Sequence, residues 1–186
     1  EQLYPDHASR DGRLLIGGVG RPSDGGFGLF VLPADGSGDR QTISSGPYAS
    51  DAGSFSPDGR WISYQSDRSG RHEVYVMRFP DTGEHWQVSP EGGVQARWSA
   101  DGRTLYYLDL TGQLLRVAIP AGGPDQAGRP EPLFDLLVSR PSSTLEQFTV
   151  HGDRFLVLRR SAESPPQTIT VLGNWTKALQ AAAGER

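Results

Sequence analysis

The histidines come first as candidates for chemistry, because imidazole titrates near neutral pH and readily binds metals. His7, His72, His85 and His151 stand apart in the chain, and none belongs to an H-E-x-x-H motif or to a helical pair, so a zinc site would need assembly from distant segments. Turn and surface roles are expected for them, and no metal or cofactor is called for. The chain has no cysteine, which removes thiolate nucleophiles, disulfides and thiolate zinc sites together. No G-x-S-x-G motif is present, so Ser54 and Ser56 read as strand residues and not as nucleophiles. A Gly-rich loop with its strand lysine, H-R-D and D-F-G are likewise missing, and no catalytic residue is assigned.

Two further patterns suggest chemistry on their own. The first is the acidic turn: Asp11, Asp58 and Asp101 each precede a Gly-Arg pair. Such carboxylates could bind calcium, but an Asp before Gly also accepts backbone hydrogen bonds across a chain reversal, and that structural reading is favoured. The second is the run 20–26, whose glycines suggest a phosphate cradle. It lacks G-x-G-x-x-G and a G-K-[ST] ending, and no helix follows it, so a hairpin loop is the expectation. Trp61, Trp86 and Trp98 recur at comparable places, where filling the space between sheets is favoured over a sugar-stacking platform.

The repetition decides what must position these residues. Asp11-Gly12-Arg13, Asp58-Gly59-Arg60 and Asp101-Gly102-Arg103 lie 47 and 43 residues apart, and a degenerate copy, His151-Gly152-Asp153-Arg154, follows. A period in the forties built from strand, turn, strand, turn is the mark of propeller blades. The segment from Gly53 to Met77 shows the unit best. Pro57 presets φ for one turn, Gly59 relieves the next position, and Asp67 to Gly70 reverses the chain again before Glu73 to Met77. Four blades are predicted, over about 4–43, 51–89, 94–134 and 146–172, in one domain spanning 1–186. The second strands, such as Trp61 to Tyr64, Leu105 to Leu108 and Phe155 to Leu158, are apolar on both faces and imply sheets packed on both sides. Asn174 is expected to cap a short helix over about 175–183, with Trp175, Ala178, Leu179 and Ala182 on one face.

Composition agrees with an all-β chain of many turns: 24 glycines and 14 prolines punctuate short apolar runs in 186 residues. Net charge is -4, with the 17 arginines interspersed among acids and Lys177 the single lysine, so nucleic acid is not an expected partner. No apolar run approaches the roughly 18 residues of a membrane span, and membrane insertion is not expected. The chain starts at Glu1, almost inside a strand, which implies a fragment or a processed product.

The phrase F-S-P-D-G-R-W-I-S-Y-Q-S-D-R-S-G-R-H-E-V-Y-V, Phe55 to Val76, resembles the TolB-like β-propeller repeat, a WD-like blade. The third copy keeps Arg97-Trp98-Ser99 before Asp101-Gly102-Arg103, with Ala100 in place of the usual proline. Trp86 to Ser89, Gly92-Gly93, Asp101 to Leu108, Pro130 to Phe134 and Ile169 to Leu179 are similar to the C-terminal part of extracytoplasmic propellers attached to bacterial serine/threonine kinases and of their free-standing relatives. Gly173 departs from the usual ending. Since the family's rings carry six or more blades, the resemblance implies missing upstream blades, a partner chain or an unusual four-bladed closure, with a partial or open propeller favoured, and an extracytoplasmic or periplasmic location. It also implies a binding or sensor role with a protein or peptide partner. Exposed terminal blades imply pairing of two chains as a homodimer.

Ligands of propellers generally sit at the mouth of the central channel, near the starts of the inner strands. Asp6, Asp51, Gln95, Arg97 and Gln147 fall there, a polar cluster of both signs able to take a peptide or a small anion. Ordinary water-filled polar lining is the alternative. The functional expectation is therefore a non-catalytic binding module, with an accessory propeller of a hydrolase or lyase as the second reading.

Overall fold

The computed structural model describes residues 2–20, 26–44, 46–80, 83–136, 141, 146–152, 154–158 and 169–172, with backbone alone for 2 and 169–172. Fifteen strands follow in chain order: β1 (Gln2–Ala8), β2 (Leu14–Gly20), β3 (Phe27–Pro33), β4 (Gln41–Ser44), β5 (Ser50–Phe55), β6 (Trp61–Ser66), β7 (Glu73–Arg78), β8 (His85–Gln87), β9 (Val94–Trp98), β10 (Thr104–Leu108), β11 (Gln113–Ala118), β12 (Glu131–Asp135), β13 (Phe148–His151), β14 (Arg154–Leu158) and β15 (Ile169–Leu172). They form four antiparallel sheets in sequence order, β1-β2-β3-β4, β5-β6-β7-β8, β9-β10-β11-β12 and β13-β14-β15. The chain has the β-propeller fold, one meander per blade. The described residues give the fourth blade three strands, and the C-terminal helix expected over 175–183 lies outside them.

The acidic turns are built alike in the first three blades. Ser56 Oγ donates to Asp58 Oδ1 at 2.6 Å, the Arg60 amide donates to the same oxygen at 3.1 Å, and the Trp61 amide donates to Ser56 Oγ at 3.0 Å. Ser9 with Asp11 and Ser99 with Asp101 repeat the arrangement, with hydroxyl-to-carboxylate distances of 2.6 Å in both. Gly59 sits at φ 70°, as do Gly12 and Gly102, a region that costs a side chain roughly 1 kcal/mol or more. These carboxylates are consumed by the reversal. The fourth blade departs from the pattern: His151 pairs with Arg154, so its hairpin connection is two residues long.

Blades stack through three apolar clusters. Ile16, Leu29, Val31 and Ile43 of the first blade meet Phe55, Ile62, Tyr64, Tyr75 and Met77 of the second. On the other side of the second blade, Trp61, Val74, Val76 and Val88 meet Ala96, Trp98, Leu105, Tyr107 and Val117 of the third. Then Val94, Tyr106, Leu108 and Leu114 meet Phe148, Phe155 and Val157 of the fourth. The strand period of two does the sorting: Leu105 and Tyr107 of β10 face backward, Tyr106 and Leu108 forward. Trp61 and Trp98 are spacers between sheets, each more than nine-tenths buried, which leaves no stacking platform on them.

The fourth blade differs again. In β14, Phe155 and Val157 are buried, whereas Leu156 and Leu158 are 41% and 52% exposed. The expectation of burial on both faces is corrected here, because among the described residues a sheet covers this blade on one side only. No core cluster joins the first blade to the fourth, so the described blades form part of a ring and do not close it.

A polar recess at the inner strands

Each of the first three inner strands carries a β-bulge. In β1 the register shifts between Pro5 and His7, leaving Asp6 as the extra residue. In β5 it shifts between Asp51 and Ser54, and in β9 between the partners of Tyr106 and Leu108. Ala52 and Gln95, 43 residues apart and therefore equivalent in the repeat, hold φ at 52° and 58°, a left-handed conformation unusual for residues with a side chain. A bulge turns the strand and aims its side chains away from the regular pleat, here toward the neighbouring blade and the central recess.

Side chains of one blade then hold backbone amides of the next. Asp6 Oδ2 accepts from the Gly53 amide at 3.0 Å, and His7 Nδ1 accepts from the Phe55 amide at 3.3 Å. Gln65 Oε1 accepts from the Gln95 amide at 3.0 Å. Gln95 Oε1 in turn accepts from the Gln147 amide at 2.7 Å, and Gln95 Nε2 donates to Gln147 Oε1 at 3.0 Å. Gln65 and Gln95 are almost fully buried, and their side-chain amides find partners on the next blade in place of water.

These connections divide the five residues singled out from the sequence. Asp6 and Arg97 line a recess of about 620 Å³, together with His7, Trp98, Glu146 and His151. Gln95 and Gln147 belong to the buried amide network instead. Asp51 lies with Gln65 and His72, where its Oδ1 and the His72 Nδ1 are buried with no hydrogen-bond partner among the described residues. Glu146 escaped sequence reading; its proximity to Arg97 comes from a long-range pairing of blades, which no local motif announces.

Electrostatically the recess is mixed. Arg97 Nη1 donates to the Ala96 carbonyl at 2.7 Å, and Arg97 Nη2 is ion-paired with Glu146 Oε1. Burial pushes the Asp6 carboxyl up to about 6; the Gly53 amide opposes this, the Asp51 and Glu146 carboxylates add to it, and Arg97 opposes it. Burial also raises the Asp51 carboxyl, against the hydrogen bond from Gln65 and the charge of His72. His7 is lowered by the desolvation of its ring against the recess wall and by the charge of Arg97, with Glu146 opposing. The Ser56 and Ser99 hydroxyls on the wall are committed to their turn aspartates. No group of three metal-ligating side chains occurs among the described residues. The arrangement is suited to recognising charge and hydrogen-bonding groups.

Four antiparallel meanders stacked side by side, with their bulged inner strands around a polar recess, are the architecture of a β-propeller. No family model matches the chain, and no curated protein sequence matches it. Solved structures do. A putative TolB from Agrobacterium tumefaciens aligns at 21% identity over 72% of this chain and 50% of its own, with a TM-score of 0.59. TolB from Acinetobacter baumannii aligns at 16% identity over 87% of this chain and 38% of its own, with a TM-score of 0.62. The β-propeller domain of the trilobed protease from Pyrococcus furiosus, described as having an open velcro topology, aligns at 13% identity over 94% of this chain and 56% of its own, with a TM-score of 0.57. The chain thus spans between 38% and 56% of these chains, and the likeness is one of fold.

Proposed function

We propose that this chain is a non-catalytic β-propeller module that binds a peptide or protein segment at the recess lined by Asp6, Arg97 and Glu146. The observation that carries the reading is the convergence of opposite charges from the first, third and fourth blades on one recess of about 620 Å³, a size that accommodates a few residues of a ligand. Gln95 and Gln147 support it from behind, joining the third blade to the fourth, while Asp51 lies within the second blade beside Gln65. The four sheets act as one propeller unit over 1–186. An extracytoplasmic location and attachment to a larger receptor rest on the sequence resemblance alone. The exposed Leu156 and Leu158 support association through a terminal blade, and light scattering across a concentration series checks it: a mass that stays at one chain removes the homodimer.

Selection of peptides from a displayed random library on the immobilised chain tests the binding role. Selected peptides should lose about tenfold or more in affinity for Arg97→Ala, as expected when a mostly buried cation of the binding wall is removed. Unchanged affinity would place the ligand elsewhere. A second reading, the accessory propeller of a hydrolase or lyase, draws on the likeness to the protease propeller domain. A G-x-S-x-G domain in the same open reading frame would favour it.

A further inference from the structure

Arg97 and Glu146 are unequal partners. The Arg97 side chain is 13% exposed and the Glu146 side chain 63%, so the cation is built into the wall while its anion arrives from the solvent side. Arg97 is oriented without Glu146, because its Nη1 is already fixed on the Ala96 carbonyl at 2.7 Å and its stem rises from the bulged strand β9. Behind Glu146 the main chain is also fixed, through the double grip of Gln95 on Gln147. The Glu146 carboxylate can therefore leave by side-chain rotation alone, with both blades in place.

The two ends of the pair respond differently to separation. A largely exposed carboxylate regains its hydration and loses little. A guanidinium held mostly out of water needs a replacement anion, and its planar fork fits a carboxylate best. The replacement can come from the adjoining recess, which also presents Arg10, His7 and His151.

Resting on the reading of the recess as a ligand site, we infer that Arg97 receives a carboxylate of the incoming ligand, and that Glu146 occupies this position until the ligand displaces it. Glu146 is then an internal competitor that sets affinity and keeps the buried cation paired in the empty protein. A peptide C-terminus and an acidic side chain offer the same group.

The test follows the Nε–H signal of Arg97 by nitrogen-15 NMR in the whole chain labelled at arginine, with Arg97→Lys identifying the signal. Sodium acetate is titrated against sodium chloride at matched ionic strength, with inorganic phosphate as a third arm. Acetate should shift the signal saturably, and Glu146→Gln and Glu146→Ala should each lower the half-saturating concentration about two- to fivefold, the worth of a partly exposed ion pair. Chloride should leave the signal in place. The inference is overturned if neither variant takes acetate more readily than the parent chain, or if phosphate saturates the signal and acetate does not. An acetate response alongside displayed peptides that ignore Arg97→Ala would remove the proposed peptide role and leave the carboxylate site standing. Selected peptides that bind equally well as free acids and as C-terminal amides, and that carry no acidic side chain, overturn the inference while the binding role survives.

Discussion

Gln95 grips Gln147 twice, its Oε1 taking the Gln147 amide at 2.7 Å and its Nε2 reaching the Gln147 Oε1 at 3.0 Å. The side chain that does this is almost fully buried, and it stands on a backbone at φ 58°. One residue of the third blade thus fixes the entry of the fourth.

Replacing it should be costly. Gln95→Ala removes the acceptor of the Gln147 amide and the donor to Gln147 Oε1 and opens a void between the blades, and a loss of about 2–4 kcal/mol is expected from the lost bonds and the cavity together. Urea unfolding measures the loss. Native-state hydrogen exchange locates it, and the Leu158 amide, bonded to the Gln147 carbonyl at 2.8 Å, should lose protection ahead of β6.

At the equivalent position of the second blade, Ala52 holds a φ of 52°, and its methyl side chain has no polar atom with which to offset the strain. Ala52→Gly should be neutral or stabilising by up to about 1 kcal/mol, because relief of the left-handed strain offsets glycine's greater chain entropy. Ala52→Val should destabilise by about 1–2 kcal/mol. Thermal and urea midpoints check both, and a Gly variant weaker by more than about 1 kcal/mol would show that the bulge is unstrained.

Asp6 gives a pH signature. Its carboxyl is raised from 3.8 to about 6 in the folded chain, so between these values the folded protein holds a proton that the unfolded one has released. Stability from this group is complete below about 4 and falls as pH rises through 6, by about 1–3 kcal/mol in all. Asp6→Asn keeps an acceptor for the Gly53 amide and removes the titration. The difference in unfolding free energy between the two proteins, followed from pH 4 to 8, should therefore shift in favour of the Asn variant as pH rises. A flat difference would mean that Asp6 titrates normally.

Much of the fold was legible because the repeat is local. Ser56, Asp58 and Gly59 build their own turn from neighbours within five residues, so the pattern survives in any copy that keeps it. Alternating strands such as Leu105 to Leu108 announced their two buried faces for the same reason. The site was legible only in part. Asp6 and Arg97 reach the recess, but a bulge moves Gln95 into the blade interface, and bulges leave no mark in a one-letter pattern. Glu146 pairs with a residue 49 positions earlier, a distance set by how blades three and four stack. The burial expected for both faces of Phe155 to Leu158 likewise depended on a neighbouring sheet, which no strand can specify by itself.

The inner strands of a propeller expose a row of backbone donors toward the axis, and such a row invites a foreign strand. Here Asp6, His7, Gln65 and Gln95 occupy the amides of Gly53, Phe55, Gln95 and Gln147 in turn, always from an earlier blade to a later one. Each borrowed acceptor takes up a donor that a foreign strand would otherwise need, so the axial edge offers fewer open positions for strand addition at the second, third and fourth blades.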